Sequence, residues 1–90
     1  MNIDFNKINE IYGEDILNFC KENIDDLVKN INYLVRLEFD DIEDIVERFP
    51  FIFLDDHESF KIKINKFIEK IGINYVGILE ENMGLWEELL

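Results

Sequence analysis

The apolar residues Ile24, Leu27, Val28, Ile31, Leu34 and Val35 follow one another at spacings of three, one, three, three and one. That pattern draws one stripe along a helix of nearly four turns, with Asp25, Asp26, Lys29, Asn32 and Arg36 outside it. The same period governs almost the whole chain. Asp40 or Asp41 can cap a second helix whose stripe is Ile42, Ile45, Val46 and Phe49. Pro50 stops that helix, because the residue before a proline is pushed out of the α region. Phe51 to Leu54 is too short for its period to be read and is expected to form a buried turn or a single 3₁₀ turn. Asp55 followed by Glu58 resembles a capping box opening a long helix with Phe60, Ile64, Phe67, Ile68 and Ile71 on one face and Gly72 as its left-handed cap. Asn74 then caps a short helix carrying Val76, Leu79 and Met83, Gly84 ends it, and Leu85, Trp86, Leu89 and Leu90 form a last apolar turn. In the N-terminal third, Phe5, Ile8, Ile11 and Tyr12 predict a short helix closed by Gly13. Ile16, Phe19 and Cys20 predict another, opened by Asp15.

These helices also repeat. Ile31, Leu34 and Val35 return as Ile64, Phe67 and Ile68, each 33 residues later. Ile42, Ile45 and Phe49 return as Val76, Leu79 and Met83, each 34 residues later, and Pro50-Phe51-Ile52 falls against Gly84-Leu85-Trp86. Each unit reads as a long helix, a short turn, a short helix, a breaker and an apolar plug. The expected architecture is all-α: one compact, solenoid-like domain over residues 1–90 with about five to seven helices in helix-turn-helix pairs. Less regular helices occupy 1–29, one repeat unit 30–62 and a second 63–90.

The run Ile31-Asn32-Tyr33-Leu34-Val35-Arg36-Leu37-Glu38-Phe39, then Ile42 to Val46, then Arg48-Phe49-Pro50 and an apolar pair, resembles the repeat of the mitochondrial transcription termination factor family. Ile71-Gly72-Ile73 matches that repeat's Leu-Gly element. Glu38 stands where the first unit would have its Gly, and Gly84 replaces the Pro of the second. The resemblance covers about Asn30 to Leu90 and implies a stack of helix pairs. It also implies nucleic-acid binding through basic residues along a curved array of many repeats.

Charge opposes that functional implication. The chain carries 21 acidic and 9 basic residues, a net −12, whereas a polyanion partner calls for a basic footprint that releases counterions. Between Glu38 and Glu58 nine acids face Arg48 alone, so nine negative and one positive leave −8. The basic group of the chain is Lys61, Lys63, Lys66 and Lys70. Hydrophobic residues at 48% and 8 Phe supply a core without disulfides or a structural metal. Fifteen Ile and ten Asn with no Ala, Thr or Gln match an AT-rich codon bias, so the Asn content is weak evidence of chemistry. No basic stretch followed by an apolar run opens the chain, and no apolar stretch reaches the ~18 residues of a membrane span. A soluble, cytoplasmic protein without membrane contact is expected.

The inventory for catalysis is short. Cys20, the single cysteine, reads as a buried small hydrophobe. His57, the single histidine, lacks the second His or Cys a metal site wants and is expected in an exposed N-terminal turn. Asp40, Asp41, Glu43 and Asp44 superficially match a calcium loop, but Ile45 occupies the position of its Gly. Ser59 has no triad, and the four glycines are scattered. Neither an enzyme nor a cofactor is expected.

The aromatic group Phe49, Phe51, Phe53, Phe60 and Phe67 reads as core. The expected function is therefore a non-enzymatic protein-interaction module. Its contact candidates are Asp40, Asp41, Glu43, Asp44 and Glu47 for a basic partner, and Trp86 and Leu89 at the apolar C-terminal end for a partner or a second copy. The alternative is a nucleic-acid-related role, by direct binding through Lys61, Lys63, Lys66 and Lys70 or by acidic mimicry.

Overall fold

The computed structural model describes residues 4–89, so Leu90 lies outside the described residues. Seven α-helices and one 3₁₀ helix follow in order: α1 Phe5–Tyr12, α2 Glu14–Glu22, α3 Ile24–Arg36, α4 Ile42–Arg48, α5 Pro50–Phe53, α6 His57–Ile71, α7 Tyr75–Glu81 and the 3₁₀ helix Met83–Leu89. The all-α expectation holds. The eight elements exceed the expected five to seven because the short segment after Pro50 closes a complete α turn and the C-terminal apolar segment winds into its own 3₁₀ helix.

Boundaries follow from local chemistry. Gly13 adopts φ 94°, ψ 172°, a region essentially reserved for glycine, and separates α1 from α2. Phe49 sits at φ −131°, outside the α region as the following proline requires, and Pro50 then opens α5 at a position that needs no N–H. The cap of α6 is displaced by one residue from the expected Asp55. Asp56 Oδ2 accepts from Ser59 N at 3.1 Å, because the Asp55 carbonyl is held by Asn30 and its carboxylate by Lys63 Nζ at 2.7 Å. At the other end, α7 closes at Asn82, and Gly84 lies inside the 3₁₀ helix rather than ending α7.

The end of α3 is the most informative terminus. The N–H of Glu38 donates to Val35 O at 3.0 Å and the N–H of Phe39 to Leu34 O at 3.3 Å, the paired bonds of a Schellman cap. Buried Phe39 and Leu34 supply the apolar contact that accompanies such caps. Glu38 occupies its left-handed position at φ 68°, alone among the described non-glycine residues. An L side chain there costs about 1–2 kcal/mol, partly offset by the entropy glycine loses on folding. Glu38→Gly is therefore expected to stabilise the protein by about 0.5–1 kcal/mol, read as a rise in the urea midpoint at unchanged m value.

Asp56 carries a second prediction. Hydrogen bonds from Ser59, backbone first and then side chain, hold its carboxyl below the usual carboxylate range. A depressed folded pKa contributes stability that is fully present above the unfolded value of about 3.9 and is lost as pH falls through the folded value. Asp56→Asn keeps the cap but removes this component. The stability difference between wild type and variant should thus shrink as pH falls below about 4 in urea titrations.

Helices α3 and α6 pack together and the remaining elements close around them. Leu27 and Leu34 of α3 meet a core that includes Phe60, Ile64 and Phe67 of α6. Trp86 seals the far end, with ring centroids 5.7 Å from Phe39 and 6.1 Å from Phe67. The radius of gyration is 12.6 Å, against ~12 Å for a compact chain of this length. α3 is rotated relative to its predicted stripe: Leu27, Asn30 and Leu34 are buried, while Ile24, Val28 and Val35 are exposed. The packed line lies roughly a quarter turn from the exposed one.

Candidate functional site

Asn30 explains that rotation and organises the surface above it. Its side chain is 0% exposed, and Nδ2 donates to Phe53 O at 2.9 Å and to Asp55 O at 2.9 Å. With the amide nitrogen so engaged, Oδ1 faces His57 Nδ1 at 2.9 Å, so Nδ1 is the donor in this bond. Asp26 Oδ1 accepts from His57 N at 3.2 Å. One turn of α3 therefore clamps the α5–α6 link. His57 is half-buried in this clamp rather than exposed as expected.

The clamp fixes which way α5 faces. A four-residue turn cannot bury every side chain, and with Ile52 and Phe53 inward, Phe51 points out at 46% exposure. It meets Tyr12 edge-on with centroids 5.5 Å apart, and the Tyr12 hydroxyl donates to Arg48 O. Phe19 of α2, which lines the same groove, is 48% exposed. Ile16, Phe19, Phe51, Leu54 and Leu89 line an apolar groove of about 410 Å³, with Asp55 and Lys63 at its edge. Lys63 and Leu89 also line an adjoining groove of about 600 Å³ with Lys66, Phe67, Lys70 and Glu88. Because they share Lys63 and Leu89, the two adjoin as one channel, aromatic at the Phe19–Phe51 end and carrying Lys66, Lys70 and Glu88 at the other.

The sequence candidates fall unevenly around it. Leu89 lines the channel, but Trp86, its companion at the C-terminal end, is 0% exposed and so is not a surface contact. Its ring fills the gap between Phe39 and Phe67 that an open end would leave. Of the acidic candidates, Asp40, Asp41 and Glu43 are exposed on the surface. Asp44 pairs with Arg48 at 3.2 Å and Glu47 with Lys7 at 3.1 Å. The Glu47 hydrogen bond, and then its charge, raise the Lys7 pKa. Asp40 also donates its N–H to Glu80 Oε1 at 2.5 Å.

The four lysines do not form one group. Lys63, Lys66 and Lys70 share the channel face of α6, whereas Lys61 points to the opposite side, toward Lys29 and Arg36 of α3. Lys63 and Lys70 are paired with Asp55 at 2.7 Å and Glu88 at 3.4 Å.

Cys20 is 1% exposed and free, and burial pushes its thiol pKa up, away from the thiolate a nucleophile needs. Among the described residues no group of three or more His, Cys, Asp or Glu is placed to hold a metal ion, and no helix is long and apolar enough to cross a membrane. Phe19 and Phe51 are the functional candidates that sequence reasoning missed. The signal for Phe51 was its place in a turn too short to bury four consecutive apolar residues. Comparison with protein-family models, with curated proteins and with solved structures gave no match, so function is read from the residues themselves.

Proposed function

We propose that the protein is a non-enzymatic interaction module whose contact surface is the channel between α2, α5, α6 and the 3₁₀ helix. The observation that carries this reading is the pair Phe19 and Phe51, both about half exposed beside Ile16 and Leu89. Large, half-exposed aromatics lining one groove are the anchors that helix-in-groove recognition uses. The partner it fits is an amphipathic segment with apolar anchors for the Phe19–Phe51 end and acidic residues for the Lys63–Lys66–Lys70 end. This differs from the basic partner expected of the acidic segment, because the local rim and not the net charge sets pairing within a Debye length of ~8 Å. A second copy is disfavoured as occupant by the −12 each copy brings.

Two further readings belong with this one. The order of long helix, seven-residue helix and closing turn occurs as α3–α4–α5 and again as α6–α7–3₁₀ helix. Positive φ at both Glu38 and Gly72, the positions aligned by the resemblance to the termination factor repeat, favours two units of one helical repeat. Function does not transfer with that resemblance, since the lysines divide between two faces of α6 and the surrounding charge is acidic. A buried free thiol also suits a reducing, cytoplasmic setting.

Selection from a random display library of 16-residue peptides tests the interaction reading. Enriched peptides should carry apolar residues at helical spacing with Asp or Glu at one end, and should be lost on Phe51→Asp but retained on Glu43→Gln. No enrichment, or enrichment of peptides indifferent to Phe51→Asp, overturns it.

A further inference from the structure

On the face of the α3–α6 pair that carries Lys61, the chain assembles a second concave feature that the interaction reading does not use. Lys29, Asn32, Tyr33 and Arg36 of α3 and His57 and Lys61 of α6 line a cleft of about 240 Å³. Lys29, Tyr33 and Arg36 stand at i, i+4 and i+7, one face of a helix. His57 and Lys61, at i and i+4, oppose them. Three of the chain's 9 basic residues thus converge on one small hollow of a protein with net charge −12.

Two of the three cations stand apart from neutralising acids. Lys61 Nζ meets Glu58 Oε1 at 3.4 Å, but neither Lys29 nor Arg36 has a carboxylate within 4 Å among the described residues. Of the two acids in the first turn of α3, Asp26 accepts from the His57 backbone N–H, and Asp25, four residues before Lys29, lies beyond 4 Å of its ammonium. The floor is also pre-set. Tyr33 lies edge-on to His57 at 6.2 Å and to Phe60 at 6.4 Å, and its hydroxyl donates to Asn65 Oδ1 at 2.5 Å. His57 Nδ1 is fixed by Asn30. Arg36 offers a planar fork suited to oxyanions and Lys29 a mobile ammonium, while Asn32 adds an amide donor.

We infer that this cleft binds a single phosphomonoester group, held by Lys29, Arg36 and Lys61. Three cations around one small hollow match the charge of a single dianionic group, and the chain's net −12 disfavours a polyanion, whose further phosphates would meet like charge beyond the cleft. The inference stands independently of the α2–α5 channel, which lies on other residues.

Titration of the ¹⁵N-labelled full chain with phenyl phosphate and with inorganic phosphate, followed by amide shifts, tests it. Saturable shifts at Asn32, Tyr33, His57 and Lys61 are expected in the millimolar range, as befits a ligand of few atoms. The pair Lys29→Gln and Arg36→Gln should weaken binding at least about tenfold, and Lys66→Gln, on the opposite face, should leave it unchanged. An unaltered helical spectrum of the double variant separates loss of binding from loss of fold. Shifts that do not saturate by tens of millimolar, or equal weakening by Lys66→Gln, overturn the proposal. Tighter binding of a single-stranded oligonucleotide than of phenyl phosphate also overturns it, since a polyanion site would then be the better description.

Discussion

Trp86→Ala is expected to destabilise the protein by about 3–5 kcal/mol, the usual cost of emptying a fully buried large aromatic site. Three observations place it at the upper part of that range. The side chain is 0% exposed, two aromatic partners lean on it, and the other apolar residues of the 3₁₀ helix that carries it, Met83, Leu85 and Leu89, are only half-buried. Against a typical total of 5–15 kcal/mol, such a loss brings the chain near its unfolding threshold at 37 °C. Chemical denaturation checks the value, and tryptophan-independent far-ultraviolet dichroism supplies the signal. Trp86→Phe should recover most of the loss: it keeps the ring contact and removes an indole N–H that has no hydrogen-bond partner among the described residues.

Asn30→Leu has the second largest expected effect, about 2–4 kcal/mol, although it exchanges a polar residue for an apolar one of similar size in a core position. The change strips donors from Phe53 O and Asp55 O and leaves His57 Nδ1 without its acceptor. Unpaired buried groups cost about 1–3 kcal/mol each, discounted here because the Asp55 carbonyl is only part-buried. The loss should be local as well as global. Amide exchange in the link around Asp55 and His57 is expected to accelerate more than exchange in the α3 centre, since the clamp is what ties that link to α3. Uniform acceleration would mean that Asn30 acts only through the common core.

How much of this was visible in the residues differs from element to element. The stripe from Ile24 to Val35 announces α3, and Pro50 and Gly72 announce where α4 and α6 stop, because these signals depend only on the chain's own geometry. The facing of α3 depends on its neighbours. Either flank of a helix with apolar residues on more than one side can pack, and Asn30 marks the buried flank only once Phe53 O and Asp55 O are known to need a donor. The same competition moved the α6 cap from Asp55 to Asp56. By contrast, the separation of Lys61 from Lys63, Lys66 and Lys70 follows from 3.6 residues per turn alone, although their closeness in sequence presents the four as one basic group. Phe51 was less legible, because its exposure is what remains after Ile52 and Phe53 take the inward positions of a four-residue turn.

The decisive measurement is a paired one on Phe19→Ser/Phe51→Ser, with unfolding free energy and affinity for a display-selected acidic amphipathic peptide determined on the same preparation. If the channel is a contact surface and not core, the double variant loses no more than about 2 kcal/mol, in keeping with two half-exposed side chains, and its peptide affinity falls at least about a hundredfold. A stability loss near that of Trp86→Ala, or peptide binding that survives the substitutions, would contradict it.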